Sequence, residues 1–249
     1  VYIEQSLQAL LSNTTMTSFR IHMAVFIHDF ARNVLDTVSR CPNIKNLKIT
    51  GSLADEDFDV IATTLETNSL PAKTLCVASF ERPSEATTNL FLHALAVNKS
   101  LRVILLSGLD LQPGTHAALT RVFSANTTLK VLWSDSAVKA DWFLPKETLD
   151  LLEAIANTTT IKALQIAFRC YTGISHVALS KLIHAVSSNT SIKYFELPSS
   201  YSTQFDSFDN NHTILKLTQG SCRTYSHIPD RNNHNRALRE TPLSALFFL

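Results

Sequence analysis

Along this chain one phrase of apolar and polar positions recurs: a mostly polar leading residue, then apolar residues three, six and eight positions later. It reads NTTMTSFRI from Asn13, CPNIKNLKI from Cys41, SLPAKTLCV from Ser69 and NKSLRVILL from Asn98. It continues as NTTLKVLWS from Asn126, TTTIKALQI from Thr158, NTSIKYFEL from Asn189 and NHTILKLTQ from Asn211. The leading residues stand 28, 28, 29, 28, 32, 31 and 22 positions apart, so the chain is built from about eight copies of one unit.

The periodicity changes inside each unit. Ahead of the leading residue lies a stretch with helical spacing, such as SLQALL before Asn13, FARNVLDTV before Cys41, DFDVIATTLE before Ser69 and LFLHALAV before Asn98. After it, the apolar pair at positions six and eight (Leu47 and Ile49, Ile104 and Leu106, Phe195 and Leu197) has the period of two of a short strand with one face buried. Each unit therefore predicts one helix, a tight turn, one short strand and a loop. A unit of this kind cannot bury its apolar face alone. Neighbours must stack, strands into a parallel sheet on one side and helices on the other.

The stretch LRVILLSGLDL from Leu101 to Leu111 resembles the leucine-rich-repeat core L-x-x-L-x-L-x-x-(N/C)-x-L, with Ile104 in place of one Leu and Leu109 at the Asn/Cys position. Together with the period, the resemblance is to the ribonuclease-inhibitor-like subclass and runs over about residues 5 to 220. It implies an α/β horseshoe with a concave parallel sheet and outer helices. Phrases of the form L-x-x-A-L-x-x-N-x-x-L-K-x-L also resemble the leucine-rich-repeat effectors that intracellular bacteria inject into host cells, which implies a host protein as partner and the host cytoplasm as compartment. The usual Asn position departs from the pattern, holding Ser52, Leu109 or Ala137.

The boundaries follow from the fading of the pattern: repeats over 1–220, then a C-terminal cap and tail over 221–249, in one domain. The last unit has Gln219 where an apolar residue is expected, and the polar segment HIPDRNNHNRALRE would shield the final repeat from water. The phrase Ile228…Arg231-Asn232 resembles the ending of some leucine-rich-repeat proteins. The start at Val1 and the apolar ending LSALFFL fit a segment of a longer protein.

Composition narrows the function. With 45% hydrophobic and 17% charged residues the chain can bury a large core, and a net charge of +1 argues against a general nucleic-acid binder. No apolar run approaches the length of a bilayer span, so the expectation is a cytoplasmic monomer with no membrane contact. The cysteines, Cys41, Cys76, Cys170 and Cys222, form no CxxC pair and read as reduced thiols rather than metal ligands or disulfides. Six N-x-[ST] sequons, at Asn13, Asn98, Asn126, Asn157, Asn189 and Asn211, fall at or beside the leading residues. There such side chains suit the helix-to-strand turn, so turn chemistry rather than glycosylation is expected. The histidines, including His227 and His234 near Cys222, lack metal-ligand spacing; no nucleophile elbow occurs, and five glycines cannot supply a phosphate loop. No enzyme, metal or cofactor is expected.

Two ladders carry the functional signal. At the fourth position after the leading residue stand Lys45, Lys73, Arg102, Lys130, Lys162 and Lys193, a basic row along one edge of the sheet. Like charges roughly 4.8 Å apart repel by only about 1 kcal/mol in water. Recognition of an acidic partner and a neutral habit of the repeat both fit. At the fifth and seventh positions, which point away from the core, stand Val103, Leu105, Val131 and Trp133, an apolar group on two adjacent strands, flanked by Cys76, Gln165, Tyr194 and Glu196. The expected function is protein–protein interaction through the concave face, with Trp133 at its centre. A GTPase activator, a filament-capping protein and a targeting domain of a larger enzyme are the alternatives. The segment SDSAVKADWFLPKE is expected as a loop, with Trp142 and Phe143 either a second contact site or folded over the sheet edge.

Overall fold

The computed structural model describes residues 2–23, 30–109, 111–139, 146–169 and 176–196. The phrase from Asn211, the 221–249 segment, Trp142, Phe143, Cys170, Cys222, His227 and His234 lie outside these residues.

Seven units alternate helix and strand. The helices are α1 (Tyr2–Ser12), α2 (Phe30–Ser39), α3 (Asp55–Glu66), α4 (Glu85–Val97), α5 (His116–Ala125), α6 (Lys146–Asn157) and α7 (His176–Ser188). The strands are β1 (Ser18–Met23), β2 (Asn46–Gly51), β3 (Thr74–Ser79), β4 (Val103–Ser107), β5 (Val131–Lys139), β6 (Ala163–Arg169) and β7 (Tyr194–Glu196). All seven strands form one parallel sheet in the order β1 to β7, and each helix packs on the next in the chain. Neighbouring strands need about 4.8 Å but packed helices about 8–10 Å, so the stack curves with its sheet on the inside. This is an α/β solenoid of the leucine-rich-repeat type.

The repeat phrase has a direct structural meaning. Positions three, six and eight supply the layer between sheet and helices: Ile44, Leu47 and Ile49 in the second unit, Leu101, Ile104 and Leu106 in the fourth, and Ile161, Leu164 and Ile166 in the sixth are all buried. They meet helix residues such as Phe58, Phe91 and Phe123 in one continuous core. Phe58 and Phe91 sit edge to face at 5.9 Å, the preferred aromatic geometry.

The leading residue is a clasp between units. The Asn98, Asn126 and Asn189 side chains are almost wholly buried. In each, Oδ1 accepts from the backbone N–H groups two and three residues on, shaping the turn: for Asn126 these are Thr128 N at 2.9 Å and Leu129 N at 2.7 Å. Nδ2 donates to a carbonyl at the C-terminal end of an earlier helix: Leu65 at 2.7 Å for Asn98, Leu95 at 2.7 Å for Asn126, Ile155 at 2.9 Å for Asn189. One amide thus supports two units, satisfying helix-end carbonyls that lack intrahelical partners. Cys41 fills the same place more weakly, its thiol donating to Leu10 O at 3.7 Å and Thr37 O at 3.3 Å. Three of the sequon asparagines are therefore sealed inside turns, in accord with the turn reading.

Thr158 leads the sixth unit and is buried, yet its hydroxyl has no hydrogen-bond partner. Thr158→Asn is expected to complete the series and stabilise the protein by about 1 kcal/mol, the net value of a typical hydrogen bond. A higher urea midpoint checks this; an unchanged or lower midpoint would mean that the joint cannot hold the larger amide.

One expectation needs correction. The residues expected to begin a loop after Trp133 continue the strand instead, since β5 runs to Lys139 and pairs again with β6 after a register irregularity between Trp133 and Ala137. Ser134 stands where other units carry an apolar core residue. The irregularity follows directly after it.

Candidate interaction surface on the sheet

The sheet face turned away from the helices carries two straight rows, because the register between neighbouring strands is uniform up to Trp133. One row runs Ser18, Asn46, Thr74, Val103, Val131, Ala163, Tyr194. The other runs Arg20, Lys48, Cys76, Leu105, Trp133, Gln165, Glu196. The surface grades from cationic over β1 and β2, through apolar over β4 and β5, to polar over β6 and β7.

The apolar centre is less open than the alternation of side chains predicts. Val103, Leu105 and Trp133 are half-buried, but Val131 is only 3% exposed and Cys76 6%. Val131 stands in register between Val103 and Ala163, in the row beside Trp133. Val131 is therefore a floor residue rather than a contact.

Trp133 and Tyr194 come from strands two apart, whose backbones lie roughly 10 Å from each other. Their rings nevertheless stack at 5.9 Å between centroids and 19° between planes. They lean together across β6, where Ala163 offers no bulk and is 0% exposed. Beside Trp133 in its row, the Gln165 side-chain oxygen is buried without a hydrogen-bond partner.

The fourth-position row lies where the strands begin. Its backbone forms a continuous ladder: Lys45 N donates to Thr17 O at 2.7 Å, Lys73 N to Lys45 O at 2.8 Å, and so on to Lys193 N with Lys162 O at 2.8 Å. Three of the side chains fold back on their own turns, Lys45 Nζ to Pro42 O at 2.6 Å, Lys162 Nζ to Thr159 O at 3.2 Å and Lys193 Nζ to Thr190 O at 2.9 Å. Those three have a structural use. Lys73, Arg102 and Lys130 are exposed.

Arg20 and Lys48 escaped the reading of the sequence, although they occupy the same seventh position that drew attention to Trp133. They are neighbours in register. Partial burial holds the Lys48 ammonium below its ordinary value of 10.5; Cys76 acts against this shift, and the Arg20 charge adds to it more weakly. A folded-state value below the unfolded one means that the charged lysine costs stability, fully so at neutral pH, and that the cost lifts as pH rises toward 10.5. Lys48→Met is expected to raise stability by less than about 1 kcal/mol, given solvent screening. The gap should shrink between pH 8 and pH 10.5; a constant gap would refute the electrostatic cause.

Among the described residues no group of His, Cys, Asp and Glu could hold a metal ion, and no helix is long and apolar enough to cross a membrane. Cys41 and Cys76 are buried thiols outside any disulfide.

No protein-family model and no curated protein matches this chain. Among solved structures it is similar to the tropomodulin C-terminal domain of Caenorhabditis elegans, at 11% identity and a TM-score of 0.41, over 76% of this chain and 93% of that one. The likeness is remote, and the fold assignment rests on the repeat and the seven-stranded sheet.

Proposed function

We propose that the protein is a non-catalytic interaction module that binds a partner protein on the inner face of its sheet. The observation that carries this reading is the run of half-buried apolar side chains on that face, Val103, Leu105 and Trp133, closed by the Trp133–Tyr194 stack. A paired Trp and Tyr offers a large, rigid, amphipathic area at low entropic cost, the usual anchor of a binding site. The resemblance to injected bacterial effectors makes a host cytoplasmic protein the first partner to seek.

The test compares the wild-type chain with Trp133→Ala and with Leu90→Ala, an exposed leucine on α4. Each is used to capture partners from host-cell lysate, with a thermal melt alongside. Trp133→Ala is expected to weaken partner binding by at least about 2 kcal/mol, the scale of a hot-spot residue, and to leave the melt within a few degrees of wild type. Leu90→Ala should change neither. Retained capture by Trp133→Ala, or loss that merely tracks unfolding, would remove the sheet face as the binding site.

A further inference from the structure

We infer that the partner presents an extended acidic segment that crosses the strands, with carboxylates over Arg20 and Lys48 and a large apolar side chain at Leu105 and Trp133. This rests on the sheet-face reading above and names the chemistry of its ligand.

Charge segregation is the first ground. In the turns and strands of the seven described units the acidic residues are Asp135 and Glu196 alone, whereas the same segments hold the six-membered Lys/Arg row together with Arg20 and Lys48. The other described acids lie on the helices apart from Glu81 in the loop after β3; α3 alone carries Asp55, Glu56, Asp57, Asp59 and Glu66. The net charge of +1 hides this polarity. Arg20 and Lys48 supply the second ground: they sit side by side on the inner face, with no hydrogen bond or ion pair to any group among the described residues, and partial burial disfavours the Lys48 charge. Two neighbouring cations without an acidic partner, in the same row as an apolar anchor, are complementary to a ligand that brings carboxylates.

The geometry sets a spacing. From β2, which carries Lys48, to β5, which carries Trp133, is three strand intervals, roughly 14 Å, or about four residues of extended chain. The same row disfavours other polyanions. A nucleic-acid backbone needs cations along its whole track, and this row turns apolar at Cys76 and ends on Glu196. A flat membrane cannot follow the inside of a curved sheet.

The experiment uses fluorescein-labelled peptides of about twelve residues and the full chain, read by anisotropy. One peptide has two or three Asp/Glu and, four positions away, a Leu-Phe pair, made in both chain directions. A second replaces the acids with Asn/Gln, and a third moves the Leu-Phe pair next to the acids. A dT12 oligonucleotide and phosphatidylserine vesicles complete the probes. The better of the two acidic directions should bind about tenfold more tightly than either other peptide at low salt. That advantage should vanish near 0.5 M salt and in the double variant Arg20→Glu/Lys48→Glu. Trp133→Ala should weaken the acidic and neutral peptides alike. Equal binding of acidic and neutral peptides, both lost with Trp133→Ala, overturns the acidic ligand and leaves the sheet-face reading intact. Indifference of every peptide to Trp133→Ala, or no peptide binding at all, overturns both. Oligonucleotide or vesicle binding tighter than the acidic peptide, and lost in the double variant, overturns the inference in favour of a phosphate ligand.

Discussion

Replacing Asn126 with Ala is expected to destabilise the protein by about 3 kcal/mol or more, although it removes only a small polar side chain. Five hydrogen bonds converge on it: Nδ2 donates to Leu95 O at 2.7 Å and Asn98 O at 3.0 Å, and Oδ1 accepts from Thr128 N at 2.9 Å, Leu129 N at 2.7 Å and the Thr128 hydroxyl at 3.4 Å. The site is buried, so water cannot replace what is lost. Each buried backbone group left unsatisfied costs about 1–3 kcal/mol. Asn126→Asp separates the two halves of the clasp. It keeps the acceptor for the turn but sets an oxygen against the two carbonyls, and should be at least as damaging as Ala at neutral pH. Urea unfolding of both variants checks this; a loss below about 1 kcal/mol for the alanine would mean that the joint is held by apolar packing alone.

Gly108→Ala is the second large effect, again about 3 kcal/mol. Gly108 follows β4 with φ 83°, a left-handed conformation that costs an L-residue roughly 1–2 kcal/mol. A Cβ there would also run into the carbonyl oxygen of Ser79, a backbone atom fixed at the end of β3. Neither term can relax without parting two neighbouring units. Gly114→Ala is the control, because its Cβ would meet only the Glu85 carboxylate, which is free to swing away. A thermal melt in which the two alanines behave alike would show that the position after β4 tolerates a side chain.

Most of the architecture was legible because the same solution is written seven times over. The three-six-eight spacing marks the core layer, and the stretches ahead of the first seven leading residues became helices close to where their periodicity placed them. The sequence marked the turn asparagines as turn-formers, but not their second role as clasps, since a bond such as that from Asn189 to Ile155 joins residues 34 apart. The site was partly legible. Trp133 and Tyr194 stood out as outward aromatics, but their stacking needs both the register of three strands and the small Ala163 between them. Val131 looked outward by alternation and proved buried, because alternation tells direction and not depth. The strand extension to Lys139 could not be read, since Ser134 interrupts the apolar phrase where β5 continues. Arg20 and Lys48 were hidden by their ordinary character as surface cations until the register placed them in the row of Trp133.

The clasps differ from unit to unit along the solenoid. Asparagine amides join the fourth, fifth and seventh units to earlier helices, whereas at the sixth the Thr160 hydroxyl donates to Asn126 O at 3.1 Å and the helices pack directly. On the sheet face the Trp133–Tyr194 stack bridges the fifth and seventh units across the sixth. Any change in the radius of the arch at this point would open or close the two rings. A ligand wedged between them would act on the curvature of the whole protein as a shim acts on a spring.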